Sequence, residues 1–208
     1  MMTVGLDAAA VEKDLRSGLL GCPELGCEGV LGPWGSARER LVRGAGWLLP
    51  RRGRCRVCGR TQVLLPASVL LRRADAVRVI GIALLAKANG AGHRRIAVLV
   101  KVPSSTVRGW LRRIVAVADR VLAVLAAAAV QLGAEFVPAW PAADPVAAVA
   151  EMLGVLSAAM ARRLGGSCPP WRLAAVLTGG RLLAPAGPEV GPRWALGRNT
   201  NSLWAAGP

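Results

Sequence analysis

The chain has 208 residues, enough for one or two small domains, and a formal net charge of +15. Residues 51–113 hold 13 Arg and 2 Lys against a single acid, Asp75, a local balance of +14 that points to a polyanion-binding surface. Arginine drift in a GC-rich genome would spread evenly, yet residues 121–208 carry 6 Arg and 4 acids. Five charges within residues 1–20 argue against a secretory signal, and the most apolar run, 121–132, is too short to span a bilayer, so the expectation is a cytoplasmic protein with no membrane partner.

Residues 1–18 read as a loose or weakly helical leader. Gly21-Cys22-Pro23-Glu24-Leu25-Gly26-Cys27 and Arg54-Cys55-Arg56-Val57-Cys58-Gly59-Arg60 then form two cysteine pairs, C-x4-C and C-x2-C, with 27 residues between them. A glycine beside the second cysteine of each pair, Gly26 and Gly59, suits a tight knuckle whose amides turn toward sulfur. Two such pairs can make a tetrahedral site from Cys22, Cys27, Cys55 and Cys58, and Zn²⁺ suits four thiolates best. Four unrelated thiols or two disulfides are the alternatives; disulfides are disfavoured in a cytosolic chain, and four of five cysteines falling into two close pairs is hard to get by chance. Val30-Leu31, Trp47-Leu48-Leu49 and Gln62-Val63-Leu64-Leu65 suit the short strands of a zinc ribbon spanning 19–66. Cys168, beside Pro169-Pro170, has no partner and reads as a plain thiol.

A helix is expected from about 69 to 87, with Val69, Leu70, Val77, Ile80, Leu84 and Leu85 mostly inward. Asn89-Gly90-Ala91-Gly92 is a strong turn. Ile96, Ala97 and Val100 share one face of a short helix that Val102-Pro103 breaks. Ser104 is expected to cap a second helix. There Val107, Trp110, Leu111 and Ile114 recur at i, i+3, i+4, i+7 as an apolar stripe, with Ser105, Arg108, Gly109 and Arg112 on the opposite side. An apolar stripe backed by small and basic residues suits a recognition helix in a major groove. On this reading Arg108 contacts a base, while Arg94, Arg95, Ser104, Ser105, Thr106 and Arg113 add backbone or flanking contacts. Gly109, costly within a helix, either lets DNA approach closely or reflects a glycine-rich chain. His93 reads as a surface or phosphate contact.

The long helix is expected to continue to Gln131 and stop before Gly133. Asp144 and Pro145 start another, as N-cap and first helical residue, carrying Val146, Val149, Met152, Leu153, Leu156 and Met160. The pair forms a helical hairpin over 119–182; its Ala-rich faces make intramolecular core or, less simply, a homodimer interface through 119–164. A short helix over 171–177 and a Pro/Gly-rich tail, 183–208, complete the chain. The fold class is therefore mainly α: a small β zinc-ribbon-like module, a helix-turn-helix domain over 67–118, and the C-terminal hairpin.

The 93–113 pattern resembles the helix-turn-helix of transposases, site-specific recombinases and bacterial regulators. Ala97 stands at their small residue, and Lys101 where many have a left-handed glycine. Together with Gly18-Leu19-Leu20-Gly21-Cys22-Pro23, Gly32-Pro33-Trp34-Gly35, the run from Cys55 to Pro66 and Thr106-Val107-Arg108-Gly109-Trp110, it resembles a family of helix-turn-helix proteins from high-GC bacteria. That family is related to the DNA-binding parts of insertion-sequence transposases. In it the first pair is C-P-x-C and a histidine often follows the second; here Leu25 and Gln62 hold those places, so Cys27 serves as second ligand. The resemblance implies binding of double-stranded DNA and no reaction.

A transposase would need three carboxylates converging on two metal ions. The acids after 113 are Asp119, Glu135, Asp144, Glu151 and Glu189, in Ala-rich helices or the tail, with too little chain for a catalytic domain. The expectation is a non-enzymatic DNA-binding regulator or targeting module. The alternatives are a degenerate transposase, or a ribbon that binds RNA or protein; one Phe and no Tyr offer few stacking rings for RNA.

Overall fold

The computed structural model describes residues 1–134, 144–165 and 169–186. Among them the chain is mainly helical, with a small sheet built from its first 66 residues. Cys168, Glu135, Glu189, Trp194 and Trp204 lie outside the described residues.

The segment expected to be a loose leader is instead part of the fold. It forms strand β1 (Met2–Val4) and helix α1 (Ala8–Ser17). Asp7 caps α1, accepting from the Ala9 amide at 2.8 Å, and Gly18 ends it at φ +70°. Val11 and Leu15, one turn apart, are buried. Neither element could persist alone: a ten-residue helix is marginal in water, and β1 takes its ladder bonds from β6 (Thr61–Pro66), with Thr3 opposite Leu65. The sheet runs β1-β6-β5-β2, where β2 is Leu31–Ser36 and β5 is Arg51–Cys55. Strands β3 (Arg40–Val42) and β4 (Gly46–Leu48) form a separate hairpin. Val4, Val11, Leu15, Leu20, Leu31 and Leu64 make a small core that reaches Cys55.

The helix expected from 69 begins only at Val77: α2 is Val77–Ala88. Residues 69–76 are turns, with Val69 bridged to Ala76 and Arg72 left-handed at φ +57°. Tertiary bonds replace the helical ones here. Leu71 donates to the Gly180 carbonyl at 3.0 Å, and Arg43 donates to the Ala74 carbonyl at 2.8 Å. Leu85 is 49% exposed rather than inward, and Ala83 fills the buried position.

Helix α3 (His93–Val100) leads through a tight turn into α4 (Ser104–Leu132). Lys101, at φ +53°, is left-handed where the turn needs it. Ser104 is not the cap: Pro103 holds that place, with no side-chain cap bond, and Ser104 is the first helical residue. Proline's fixed φ and missing N–H let it stand just before a helix without an unsatisfied donor. The 29 residues of α4 span about 43 Å and end at left-handed Gly133. Helix α5 (Pro145–Leu164) starts as its sequence requires, with Asp144 accepting from the Val146 amide at 2.8 Å. Helix α6 is Pro170–Leu177.

Helices α4 and α5 are each long and apolar enough to cross a membrane by length and composition, so the 121–132 run belongs to a longer helix than its own span suggested. Their apolar stripes nevertheless have partners. Val117, Val121, Val124 and Leu125 of α4 pack in one core with Val149, Leu153 and Leu156 of α5 and with residues of α2 and α6. This buried stripe makes intramolecular core, while Val130 on α4 remains 81% exposed.

Candidate metal centre and nucleic-acid interface

The cysteine pairs sit on two turns at the end of the sheet. The backbone holds them in register: Cys22 donates to the Gly29 carbonyl at 2.8 Å, and Cys55 to the Arg60 carbonyl at 2.9 Å. Gly26 (φ +73°) and Gly59 (φ +70°) are left-handed, as a knuckle beside each pair requires. The ligand atoms of Cys22, Cys27, Cys55 and Cys58 all lie within 4.8 Å of one another. The Cys22–Cys58 and Cys27–Cys55 sulfur distances are both 3.7 Å, and all four thiols are free. A tetrahedron with metal–sulfur bonds of about 2.3 Å has edges of about 3.8 Å. The cluster therefore has the dimensions of a four-thiolate metal site.

Its electrostatics favour thiolate at Cys55 and neutral thiol at Cys22 and Cys58. The amides of Cys58 and Val57 point at Cys55 Sγ, at 3.5 and 3.4 Å, and pull its pKa down to about 6. Cys22, desolvated by burial and crowded by the other sulfurs, is pushed up to about 12. Four thiols this close cannot all ionise without a cation between them; a divalent ion would supply it and would cross-link the two turns.

Gly29 was not legible as part of this site. A Cβ there would lie 2.6 Å from Cys55 Sγ and 2.8 Å from Val57 Cβ, so no other residue fits beneath the cluster. Its pattern in the sequence is that of any loop glycine. Leu25, where the resembled family has its second ligand, is 87% exposed and away from the sulfurs' role. Gln62, where a histidine often stands, is buried and donates to Glu24 Oε1 at 2.8 Å.

The basic residues divide into two groups. Arg51 pairs with Glu12 at 2.8 Å and Arg60 with Glu24 at 3.1 Å. Arg54 lies over the Trp34 ring, 4.5 Å from its centre, and donates to the Gly59 carbonyl. Acids outside the 51–113 window thus fold back onto its first part. Among the described residues Arg94, Arg95, Arg108, Arg112 and Arg113 have no acidic partner. Among the described residues Arg52, Arg56, Arg72 and Arg78 also lack an acidic partner, so the free charge covers α3 and α4 and extends to the sheet and the 72–78 segment.

On α4, Val107, Trp110 and Ile114 are buried, and Leu111 is half-buried against the same core. Ser104, Ser105, Arg108 and Arg112 are exposed, while Thr106, Gly109 and Arg113 are half-buried. Arg94 and Arg95 are exposed at the start of α3, and His93 beside them is half-buried. The spacing thus placed the two faces correctly, with one difference. Ser105, Thr106, Gly109, Arg112 and Arg113 do not all face open solvent; they form one wall of a cleft whose other wall is the 72–75 loop. Arg108 lies outside that cleft. At Gly109 a Cβ would stand 2.9 Å from Arg113 Nη1, so the missing side chain gives the Arg113 guanidinium room to cross the helix. Comparison with protein-family models, curated proteins and solved structures finds nothing that matches this chain.

Proposed function

We propose that the chain is a non-enzymatic protein of the cytoplasm that binds double-stranded DNA through a helix-turn-helix made of α3 and α4, with the four-cysteine cluster holding a structural Zn²⁺. It serves as a transcriptional regulator or as the targeting part of a mobile element, as its resemblance to transposase DNA-binding parts suggests. The observation that carries the reading is the exposed Arg108–Arg112 face of α4, unpaired by any acid among the described residues and backed by buried Val107, Trp110 and Ile114. A left-handed Lys101 between the two helices supports it, because that turn sets a short helix against the start of a long one. Arg108 is assigned to a base edge; Arg94 and Arg95 are assigned to phosphates.

Selection of bound duplexes from a random library should enrich one motif. Arg108→Ala should then relax preference at one base pair, worth about 1–3 kcal/mol, and leave nonspecific binding nearly intact. Failure to enrich any motif would remove the specific-binding reading. For the metal, the purified chain should carry one zinc, which Cys55→Ser loses; a metal-free chain that resists protease over 19–66 would remove the zinc.

The exposed Trp47, at 70%, and Trp34, at 49%, favour a second reading, in which the sheet module binds single-stranded RNA or a protein. Loss of single-strand binding in Trp47→Ala, with duplex binding unchanged, would select it.

A further inference from the structure

The cleft beside α4 has an organisation that groove binding does not use. Its volume is about 350 Å³, and it runs between residues 72–75 and the first turns of α4. Four guanidinium groups line it, those of Arg72, Arg73, Arg112 and Arg113, against one carboxylate, Asp75. Asp75 is already engaged by Arg43 at 2.8 Å. Among the described residues Arg72, Arg112 and Arg113 have no ion-pair or hydrogen-bond partner. Arg73 donates from Nη2 to the Leu183 carbonyl at 2.9 Å, but its Nε is buried with nothing to bond. Burial and the nearby Arg113 charge both push the Arg73 pKa below its ordinary value, as crowding of like charges does.

The walls are built rather than incidental. Arg72 is one of two non-glycine residues at positive φ among those described. The loop is fixed in that shape by bonds to Gly180, to Leu183 and to Arg43 on β3's flank. Opposite, Pro103 leaves the start of α4 without a side-chain cap, and no acid stands in its first turn. The Ser105 amide and the positive end of the helix dipole therefore share the cleft with the arginines, while the Thr106 amide is taken by the Pro103 carbonyl at 2.9 Å. Guanidinium groups and a helix amide are the donors that take a tetrahedral oxyanion.

We propose that this cleft is a phosphate-binding site, in which Arg72, Arg73 and Arg113 with the start of α4 hold one phosphate group. The phosphate belongs to a duplex backbone or to a small phosphorylated molecule. For a duplex the inference rests on the DNA-binding reading; for the phosphate group itself it does not.

The test uses the zinc-loaded full chain, labelled with ¹⁵N in its arginine side chains and backbone, titrated with inorganic phosphate at constant ionic strength. Saturable shifts at Arg72, Arg73, Arg113 and the Ser105 amide are expected, with Arg162 and Arg163 unmoved. Arg72→Gln and Arg113→Gln, both at partly or fully exposed positions, should each weaken phosphate at least tenfold while Arg162→Gln does not. Uniform, non-saturating shifts at all arginines, or unchanged binding in both variants, would overturn the proposal. Arms with a random duplex and with a nucleoside triphosphate identify the source by which saturates the same resonances first. Normal duplex binding without saturable phosphate shifts removes this site and leaves the DNA reading standing. Saturable shifts without duplex binding do the reverse.

Discussion

A single hydrogen atom at Gly29 decides whether four sulfurs can meet. The Cys55 sulfur lies where a Cβ would be, 2.6 Å away, against backbone that the Cys22–Gly29 bond already holds. Gly29→Ala should therefore move Cys55 outward while removing none of the four thiols. The expected outcome is zinc affinity lowered about 10–100-fold, the range seen when a site's supporting shell is disturbed, read by competition with a chromogenic chelator. Gly26→Ala meets no atom within 4 Å and acts only through its positive φ, so its effect on affinity should be smaller. Equal losses in the two variants would contradict the contact argument.

Pairs of elements carry the next level. Gly81 on α2 lies under Trp171 of α6: a Cβ would sit 2.2 Å from the indole ring. In an open helix Gly→Ala stabilises by about 1 kcal/mol. Here overpacking against a ring is expected to reverse the sign and cost about 1–3 kcal/mol. Denaturation of Gly81→Ala, of Trp171→Ala and of the double variant checks this: alanine at 81 should become harmless, or stabilising, once the ring is gone. Leu15 of α1 links elements differently. Fully buried, it packs over Gly53 of β5, where a Cβ would stand 3.1 Å from Leu15 Cδ2 and 3.1 Å from Leu31 Cβ of β2. Leu15→Ala should cost about 2–5 kcal/mol and make residues 19–66 protease-sensitive even with zinc bound, because α1 shares the core that carries Cys55. A variant with unchanged protection would return the leader to a dispensable role.

For the whole molecule the question is where the charge is free to act. The local balance of +14 over 51–113 overstates the binding surface, because Glu12 and Glu24 fold onto Arg51 and Arg60. A footprint of about six phosphates should lose about a thousandfold in affinity between roughly 50 and 200 mM salt. Arg94→Gln should flatten that slope by about one unit. Arg51→Gln, already paired, should leave it unchanged. A steeper effect from Arg51 than from Arg94, measured by duplex titration over a salt series, would move the interface to the sheet.

What could be read from the residues themselves was whatever depends on near neighbours. Period and capping residues placed the breaks at Pro103, Gly133 and Asp144 and the buried Val107–Trp110–Ile114 stripe, because helix faces repeat within one or two turns. Pair spacing identified all four cysteines, since a knuckle is closed within a few residues and needs glycine beside it. The rest was decided by contacts between distant segments. Residues 1–18 carry too weak a local signal to be anything but a leader; β6 and the Leu31–Leu64 core make them a strand and a helix. Residues 69–76 have helical periodicity, yet bonds from Arg43 and to Gly180 and Leu183 outcompete it and turn Arg72 and Arg73 toward α4. The pairing of Arg51 and Arg60 with remote acids was equally hidden. Local pattern specifies which residues want burial or a turn, and tertiary structure decides which charges remain unpaired, because an ion pair costs the chain nothing in sequence distance once the fold has closed the loop between its partners.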